Sequence, residues 1–297
     1  MKTLERQARI ELKNIVFATD FSRPSEDALP YAAELARHFG AKLYALHVRP
    51  SEIYTMAAPE SWQALAEAQQ AAAREKVRNL VSRFPDVKSE VVIEEGEIWP
   101  ALVSTLEKNQ IDLIVIGTRG RTGIGKLLLG SAAEEIFREA PCAVLTVGPH
   151  SPADPPAGGN FHEILFATDF SEESLAAVPY AISLAQEYQG HLTLLHVIAQ
   201  PESGDLVNRK EVEASALRRM HALVPLEAEM WCEPWFMVME GETAETILDV
   251  ADDRKADLIV LGVRPPEGVP GAATHLPIAT AHKLVSHAKC PVLTVRG

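Results

Sequence analysis

Residues that could do chemistry are concentrated in one glycine-rich stretch, GTRGRTGIGKLLLGSAAEE, which begins at Gly117 and ends at Glu135. It follows an apolar run, carries five glycines and three cations, and leads into a predicted helix. Loops of this kind often bind phosphate, because free N–H groups and the positive end of the helix dipole meet the anion. The stretch therefore predicts a phosphate-binding loop.

The spacing of this loop excludes the two best-known phosphate loops. It is not GxxxxGK[ST], and it is not GxGxxG on a first βα turn, so it is neither a Walker A loop nor a dinucleotide fingerprint. What remains is Gly117-x2-Gly120-x9-Gly130-Ser131. We expect Gly117 and Gly120 to allow positive φ and close backbone approach to a ligand. Gly130 and Ser131 should open the following helix.

Two interpretations of the loop stay open at this point. Arg119, Arg121 and Lys126 would offset the charge of a bound anion in an otherwise acidic chain. The structural alternative is that Ser131-x-x-Glu134 forms a capping box, which needs no ligand.

The chain contains an internal duplication, which indicates the elements that position this loop. FATDFS occurs at Phe17–Ser22 and again at Phe166–Ser171, and VLTV closes each half at Val144–Val147 and Val292–Val295. A Pro/Gly-rich stretch separates the halves. We predict domains at residues 1–148 and 161–297, joined by a linker at 149–160.

Within each half, apolar strands alternate with amphipathic stretches, which indicates a parallel sheet covered by helices on both faces. The predicted fold class is α/β, with two tandem doubly wound open parallel sheets, for which we take the strand order 3-2-1-4-5 that the family resemblance described below implies. Ser22 and Ser171 are predicted to cap helices. Gly40 and Gly190 are predicted to end them.

Ligands of such sheets bind beyond the carboxyl ends of the strands, where the strand order reverses. The loops after strands one and four meet there, so Asp20 should face the Gly117 loop. A carboxylate accepts hydrogen bonds from ribose hydroxyls or an adenine amine, which favours a nucleoside phosphate site. The local alternative is that Asp20 only helps to cap the next helix.

These motifs together resemble the universal stress protein family. The resemblance rests on ATDFS, LHV, the Gly-x2-Gly-x9-Gly-Ser loop and PCAVLTV, and it covers nearly the whole chain as two copies. It implies an adenine nucleotide alpha-hydrolase-like fold, with ATP bound where the full loop is present. It also implies pairing of the domains through their last strands, here Ala143–Val147 and Val292–Arg296.

Site residues follow from the resemblance by position. Asp20 would contact the adenosine, Ala18 would line the pocket, and the backbone of Val48 would meet the adenine. The resemblance places these residues around the ribose and phosphates: Gly117, Arg119, Gly120, Gly130, Ser131 and Ala132. Mg²⁺ would arrive with the phosphates, and no separate metal site is predicted.

The second half departs from the pattern. It keeps Asp169 and Val197, but Pro265 replaces the second glycine of the loop, and Ile278 stands where Gly130 does. Proline has no N–H to donate, and isoleucine has a Cβ where a phosphate would approach. We therefore expect ATP in the N-terminal domain only.

No convincing catalytic set is present, and His47 and His196 are interpreted as core or rim histidines. The predicted function is an ATP-binding universal stress protein, a nucleotide-dependent regulatory module of the stress response whose state a protein partner reads. The alternative is a slow ATPase or a phosphoryl or nucleotidyl transferase. A flavin or electron-transfer protein of similar topology is a third interpretation.

Composition sets the remaining expectations. A formal net charge of −13 disfavours binding to nucleic acid and anionic membranes. No apolar run is long enough to span a bilayer, and the N-terminus lacks the apolar core of a signal peptide. Three cysteines form no disulfide framework. We predict a cytoplasmic protein whose two domains form an intrachain pseudo-dimer, and a homodimer is left open.

Overall fold

A computed structural model describes residues 9–51, 59–118, 130–155, 161–198, 206–225, 228, 232, 234–263 and 276–296. The chain divides into two compact units. The N-terminal unit is Glu11–Phe137, and the C-terminal unit is Arg138–Gly297 together with Met1–Ile10.

The sheet of the N-terminal unit has four parallel strands in the order β3-β2-β1-β4. Its strands are β1 (Asn14–Ala18), β2 (Lys42–Arg49), β3 (Ser89–Glu95) and β4 (Leu113–Gly117). The helices of this half are α1 (Arg23–Glu26), α2 (Leu29–Phe39), α3 (Pro59–Val81), α4 (Ile98–Asn109) and α5 (Ser131–Glu139). The centre of β1 is fully buried, as expected for a parallel strand with helices on both faces.

The sheet of the C-terminal unit has the order β8-β7-β6-β9-β10-β5. Its strands are β5 (Ala143–Val147), β6 (Glu163–Ala167), β7 (His191–Ile198), β8 (Trp235–Glu240), β9 (Leu258–Val263) and β10 (Val292–Arg296). Its helices are α6 (Glu172–Ala176), α7 (Val178–Glu187), α8 (Leu206–Leu223), α9 (Thr243–Arg254) and α10 (Leu276–His287). The first five strands in this order confirm the predicted order 3-2-1-4-5.

The last strands of the two halves pair with each other, as the family resemblance implies. β5 runs antiparallel to β10, with Leu145 opposite Leu293 and Val144 opposite Thr294. This pairing explains why β5 belongs to the C-terminal unit, although it lies in the first half of the sequence.

Helix ends follow local chemistry in most places. The Ser22 and Ser171 side chains accept hydrogen bonds from the N–H groups of Ser25 and Ser174, so both predicted caps are confirmed. Gly40 ends α2 in the left-handed conformation, with φ of 65°.

The role predicted for Gly190 is wrong. Gln189 adopts the left-handed conformation after α7, with φ of 51°. Gly190 instead permits close packing, because a Cβ there would lie 2.6 Å from the carbonyl oxygen of Phe161.

Gly117 and its counterpart Gly262 allow the helix after the first strand to lie directly on the sheet. A Cβ on Gly117 would lie 2.1 Å from the carbonyl oxygen of Pro24, and one on Gly262 would lie 2.0 Å from that of Glu173. Gly117 is not among the described glycines with positive φ, so that expectation is wrong. The structure explains this glycine by contact between backbones.

We expect Gly117→Ala and Gly262→Ala each to destabilise the fold by about 1–3 kcal/mol or more, because the obstacle is backbone that cannot rotate away. Urea unfolding followed by circular dichroism measures the change. Gly96→Ala is the control for replacing a glycine, since a Cβ there meets nothing within 4 Å and only the positive φ opposes it. Unchanged unfolding midpoints at both packed glycines would contradict this explanation.

Candidate nucleotide site

The turn after β1 is held by side chains that bond to nearby backbone. The Thr19 N–H donates to the Leu46 carbonyl over 2.9 Å, continuing the ladder one residue past the strand. Asp20 Oδ1 accepts from the Ser22 N–H at 3.0 Å and from the Ser22 hydroxyl at 2.6 Å. Because Ser22 in turn caps α1, Asp20 Oδ1 helps to cap that helix, which is the local role considered for Asp20. The half-buried carboxylate is held at the carboxyl edge of the sheet.

The start of α5 presents main-chain donors at the same edge. The Gly130 N–H donates to the Thr118 carbonyl over 2.8 Å, and the Gly130 carbonyl accepts the Glu134 N–H over 2.8 Å. Gly130 therefore occupies the N-cap position, and Ser131 lies inside the helix rather than at the N-cap that a capping box requires. By helix geometry, the N–H groups of residues 131–133 have no acceptor within the helix.

Sheet register brings the two predicted ends of the site together. β1 pairs directly with β4, with Phe17 opposite Val115, so the Asp20 turn and the end of β4 lie at one edge. Ala18, the last residue of β1, is buried at this edge. The structure thus brings together Ala18, Asp20, Gly117 and Gly130, whereas Arg119 and Gly120 lie outside the described residues, as do Arg121 and Lys126.

The backbone of Val48 faces the same space. Backbone groups of alternate strand residues point in the same direction, and the Leu46 carbonyl bonds towards β1. The N–H and carbonyl of Val48 therefore point to the β1 side, beyond Ala18, where β1 has ended. This placement agrees with the role that the family resemblance gives to Val48.

The C-terminal half repeats the first turn closely. Asp169 Oδ1 accepts from the Ser171 N–H at 2.9 Å and from its hydroxyl at 2.6 Å. Burial raises the pKa of Asp169, but hydrogen bonds from Ser171 and Ser174 outweigh that effect and leave the pKa below its ordinary value. Asp169 thus stays ionised at neutral pH.

The two halves differ at the helix that follows the fourth strand. Counting back from VLTV, Ile278 corresponds to Gly130, yet α10 already begins at Leu276. The N–H groups of Thr280 and Ala281, which correspond to those of Ala132 and Ala133, therefore have acceptors inside the helix. The free donors shift towards the N-terminus of α10, where Pro277 has no N–H.

Histidines and cysteines near the sheet have structural explanations. His47 is buried, and its Nδ1 lies 2.8 Å from the Thr19 carbonyl oxygen. The His196 ring makes the same contact to Thr168. Burial, with a smaller contribution from Asp257, raises the pKa of the Cys290 thiol to about 12. Within the described segments, His, Cys, Asp and Glu form no group that could hold a metal ion.

Sequence reasoning missed Thr118 and Phe21. The Thr118 side chain is buried at the end of β4, and its hydroxyl has no hydrogen-bond partner among the described residues. Phe21 has φ of 61°, as does Phe170 in the repeat. Exact recurrence of FATDFS was the available signal for Phe21, whereas no local pattern marks Thr118.

Comparison with known proteins accounts for this arrangement. The family model described as "Universal stress protein family" matches residues 11–148 and again 160–296. The chain belongs to the universal stress protein family. The tandem match agrees with the duplication in the sequence.

Some relatives match one half of this chain, and others match nearly all of it. A universal stress protein of Methanocaldococcus jannaschii is 36% identical over 139 residues, which cover 46% of this chain and 81% of that protein. One from Bacillus subtilis is 30% identical over 150 residues, covering 46% of this chain and 99% of that protein. The solved structure of a universal stress protein from Archaeoglobus fulgidus matches with a TM-score of 0.71 and 19% identity, covering 97% of this chain and 99% of that one.

No helix in the described part of this universal stress protein is long and apolar enough to cross a membrane.

We expect Thr118→Val to raise the free energy of unfolding of the ligand-free protein by about 1–3 kcal/mol, because it removes a buried hydroxyl that has no hydrogen-bond partner in the described part of the chain. The repeat provides the matched control, since buried Val263 occupies the corresponding position after Gly262. Val263→Thr should lower the stability by a similar amount. Chemical denaturation checks both, and a destabilising Thr118→Val would show that the hydroxyl has a partner.

Proposed function

We propose that the N-terminal half of this universal stress protein binds ATP, and that the C-terminal half binds it weakly or not at all. The protein would then act as a nucleotide-dependent regulatory module of the stress response. ATP occupancy changes the geometry of the protein, and a protein partner reads the change.

The adenosine end of the proposed site is the Asp20 turn. Its carboxylate accepts hydrogen bonds from the ribose or the adenine amine, Ala18 lines the pocket, and Val48 meets the adenine through its backbone. The fixed position of Asp20 Oδ1 on Ser22 supports this assignment, because a held acceptor loses little entropy on binding.

The phosphate end is the N-terminus of α5. Ser131 and Ala132 offer main-chain N–H donors at the positive end of the helix dipole. Gly130, whose own N–H bonds to the Thr118 carbonyl, leaves room for the phosphate because it has no side chain. Gly117, Arg119 and Gly120 complete the proposed set, and Mg²⁺ would arrive with the phosphates.

The observation that carries the proposal is the different start of the two corresponding helices. α5 begins just after Gly130, so the N–H groups that have no acceptor inside the helix follow directly on this glycine. α10 begins earlier relative to the repeat, so the N–H groups at the corresponding positions bond to carbonyls of the same helix. The adenosine end is shared by the halves, so the phosphate end decides between them.

We expect the full-length protein to bind one ATP per chain in isothermal titration calorimetry. Gly130→Val with Ser131→Ala should abolish this binding, because valine crowds the approach to the free N–H groups. Ala279→Ser is the matched control, and it should create no second site because the early turn of α10 remains. Two ATP per chain in the wild-type protein, or in the control, would refute the proposed asymmetry.

The same samples, incubated with ATP and Mg²⁺, measure ADP release. Steady turnover well above that of the Gly130→Val/Ser131→Ala variant would show the alternative, an ATPase.

Asp20→Asn should weaken ATP binding about tenfold, because a neutral amide replaces a charge-assisted acceptor. Asp169→Asn changes an identical turn in the other half, and we expect it to leave ATP binding unchanged. Thermal unfolding of both variants controls for damage to the turn. Equal losses of affinity in the two variants would show that both halves bind the nucleotide.

A further inference from the structure

Phe21 and Phe170 adopt a backbone conformation that phenylalanine rarely takes. Each has φ of 61°. The other described residues with positive φ, glycine excepted, are Gln110, Gln189 and Lys255, and these follow the ends of α4, α7 and α9, where the left-handed conformation is usual. Each of the two phenylalanines instead lies between a strand and a helix, directly after the aspartate of the turn. Identical strain in both halves calls for a physical cause.

Ring contacts hold Phe21 in place. Its ring centroid lies 4.2 Å from that of His47, and the Lys76 ammonium lies 5.4 Å from the ring centroid. His47 is itself tied to the end of β1 through the Thr19 carbonyl. The tilted ring contact with His47 and the cation–π attraction to Lys76 thus connect the turn to β2 and to α3.

The C-terminal half repeats these ring contacts, with arginine in place of lysine. The Phe170 ring centroid lies 4.7 Å from that of His196, and the Arg219 guanidinium lies 4.0 Å from the Phe170 ring centroid. The same pair of contacts, one with a histidine ring and one with a cation, therefore accompanies the same φ in both halves. This recurrence connects the ring contacts to the strained turn.

The reversed backbone at Phe21 determines where the Asp20 carboxylate lies. The Phe21 N–H donates to Thr19 Oγ1 over 3.0 Å, and the next N–H, that of Ser22, donates to Asp20 Oδ1. With an ordinary φ at Phe21, the Ser22 N–H would point elsewhere and the carboxylate would lose this donor.

We propose that Phe21 is a positioning residue of the nucleotide site, because its ring, in contact with His47 and Lys76, holds the Asp20 carboxylate in its binding position. This inference rests on the proposed function, since it assigns Asp20 to the adenosine. Phe21 acts through Asp20 and makes no contact with the nucleotide. The adenosine end is thereby formed before the ligand arrives.

The test compares Phe21→Ala with Phe170→Ala in the full-length protein. Both remove a ring that contacts a histidine and a cation, so both should lower the unfolding midpoint. Only Phe21→Ala should weaken ATP binding, by about three- to tenfold. The reason is that the Asp20 side chain is no longer held, so binding must order it. Inorganic tripolyphosphate, which lacks the adenosine, should bind Phe21→Ala as it binds the wild-type protein.

Two further variants keep the test decisive. Phe21→Tyr retains the ring and should restore ATP affinity, which a general loss of stability would not explain. Phe21→Gly accepts positive φ without strain, so it replaces the alanine variant if that variant does not fold, and it should show the same selective loss.

Each outcome discriminates between explanations. Wild-type ATP affinity in Phe21→Ala and Phe21→Gly, or equal losses of ATP and tripolyphosphate binding, would overturn the positioning role while leaving the proposed function intact. Absence of ATP binding in the wild-type protein would overturn the proposed function and this inference with it.

Discussion

Close contact between the backbones of α1 and β4 is the constraint on which the candidate site depends. Because Gly117 has no side chain, the carbonyl of Pro24 can lie where a Cβ would otherwise be. α1 begins directly after the Asp20 turn, so this contact sets the distance between that turn and the end of β4. The corresponding contact at Gly262 builds the same frame in the other half. In each half, this contact places the aspartate of the turn, Asp20 or Asp169, near the carboxyl end of the fourth strand.

Within this common frame, the halves are distinguished by where one helix begins. The sheets, the strained turns and the capping serines recur with nearly equal distances. The first N–H groups of α5 have no acceptor inside the helix, whereas the extra residues of α10 supply acceptors at the corresponding positions. A shift in helix start changes which backbone groups are available without any change in the sheet. Duplicated domains can therefore diverge in binding while their cores stay alike.

Much of this arrangement could be predicted from the sequence, because it depends on local patterns. Apolar strands, capping serines and the recurrence of whole motifs indicated the element order and the position of the Asp20 turn, and the family resemblance implied the strand order. The role of Gly117 could not be predicted, because it depends on Pro24, which is far away in the chain. The conformation of Phe21 could not be predicted either, because it depends on contacts with His47 and Lys76, which are also distant in the chain. The start of α10 also escaped prediction, since helix boundaries depend on capping contacts that a residue alignment does not contain.

The pairing of β5 with β10 has a consequence for how the two halves of this protein are combined. Leu145 and Leu293 are equivalent residues of the repeat and lie opposite each other, while each Val–Thr pair is matched by its mirror pair across them. Such a self-complementary contact is what joins identical subunits, but here both strands belong to one chain. Dilution does not separate the two halves, and their high effective concentration favours pairing within one chain over pairing between chains. Under the proposed function, each chain therefore combines one half that binds ATP with one half that binds it weakly or not at all. The ratio of the two kinds of half is fixed at one to one by the covalent link.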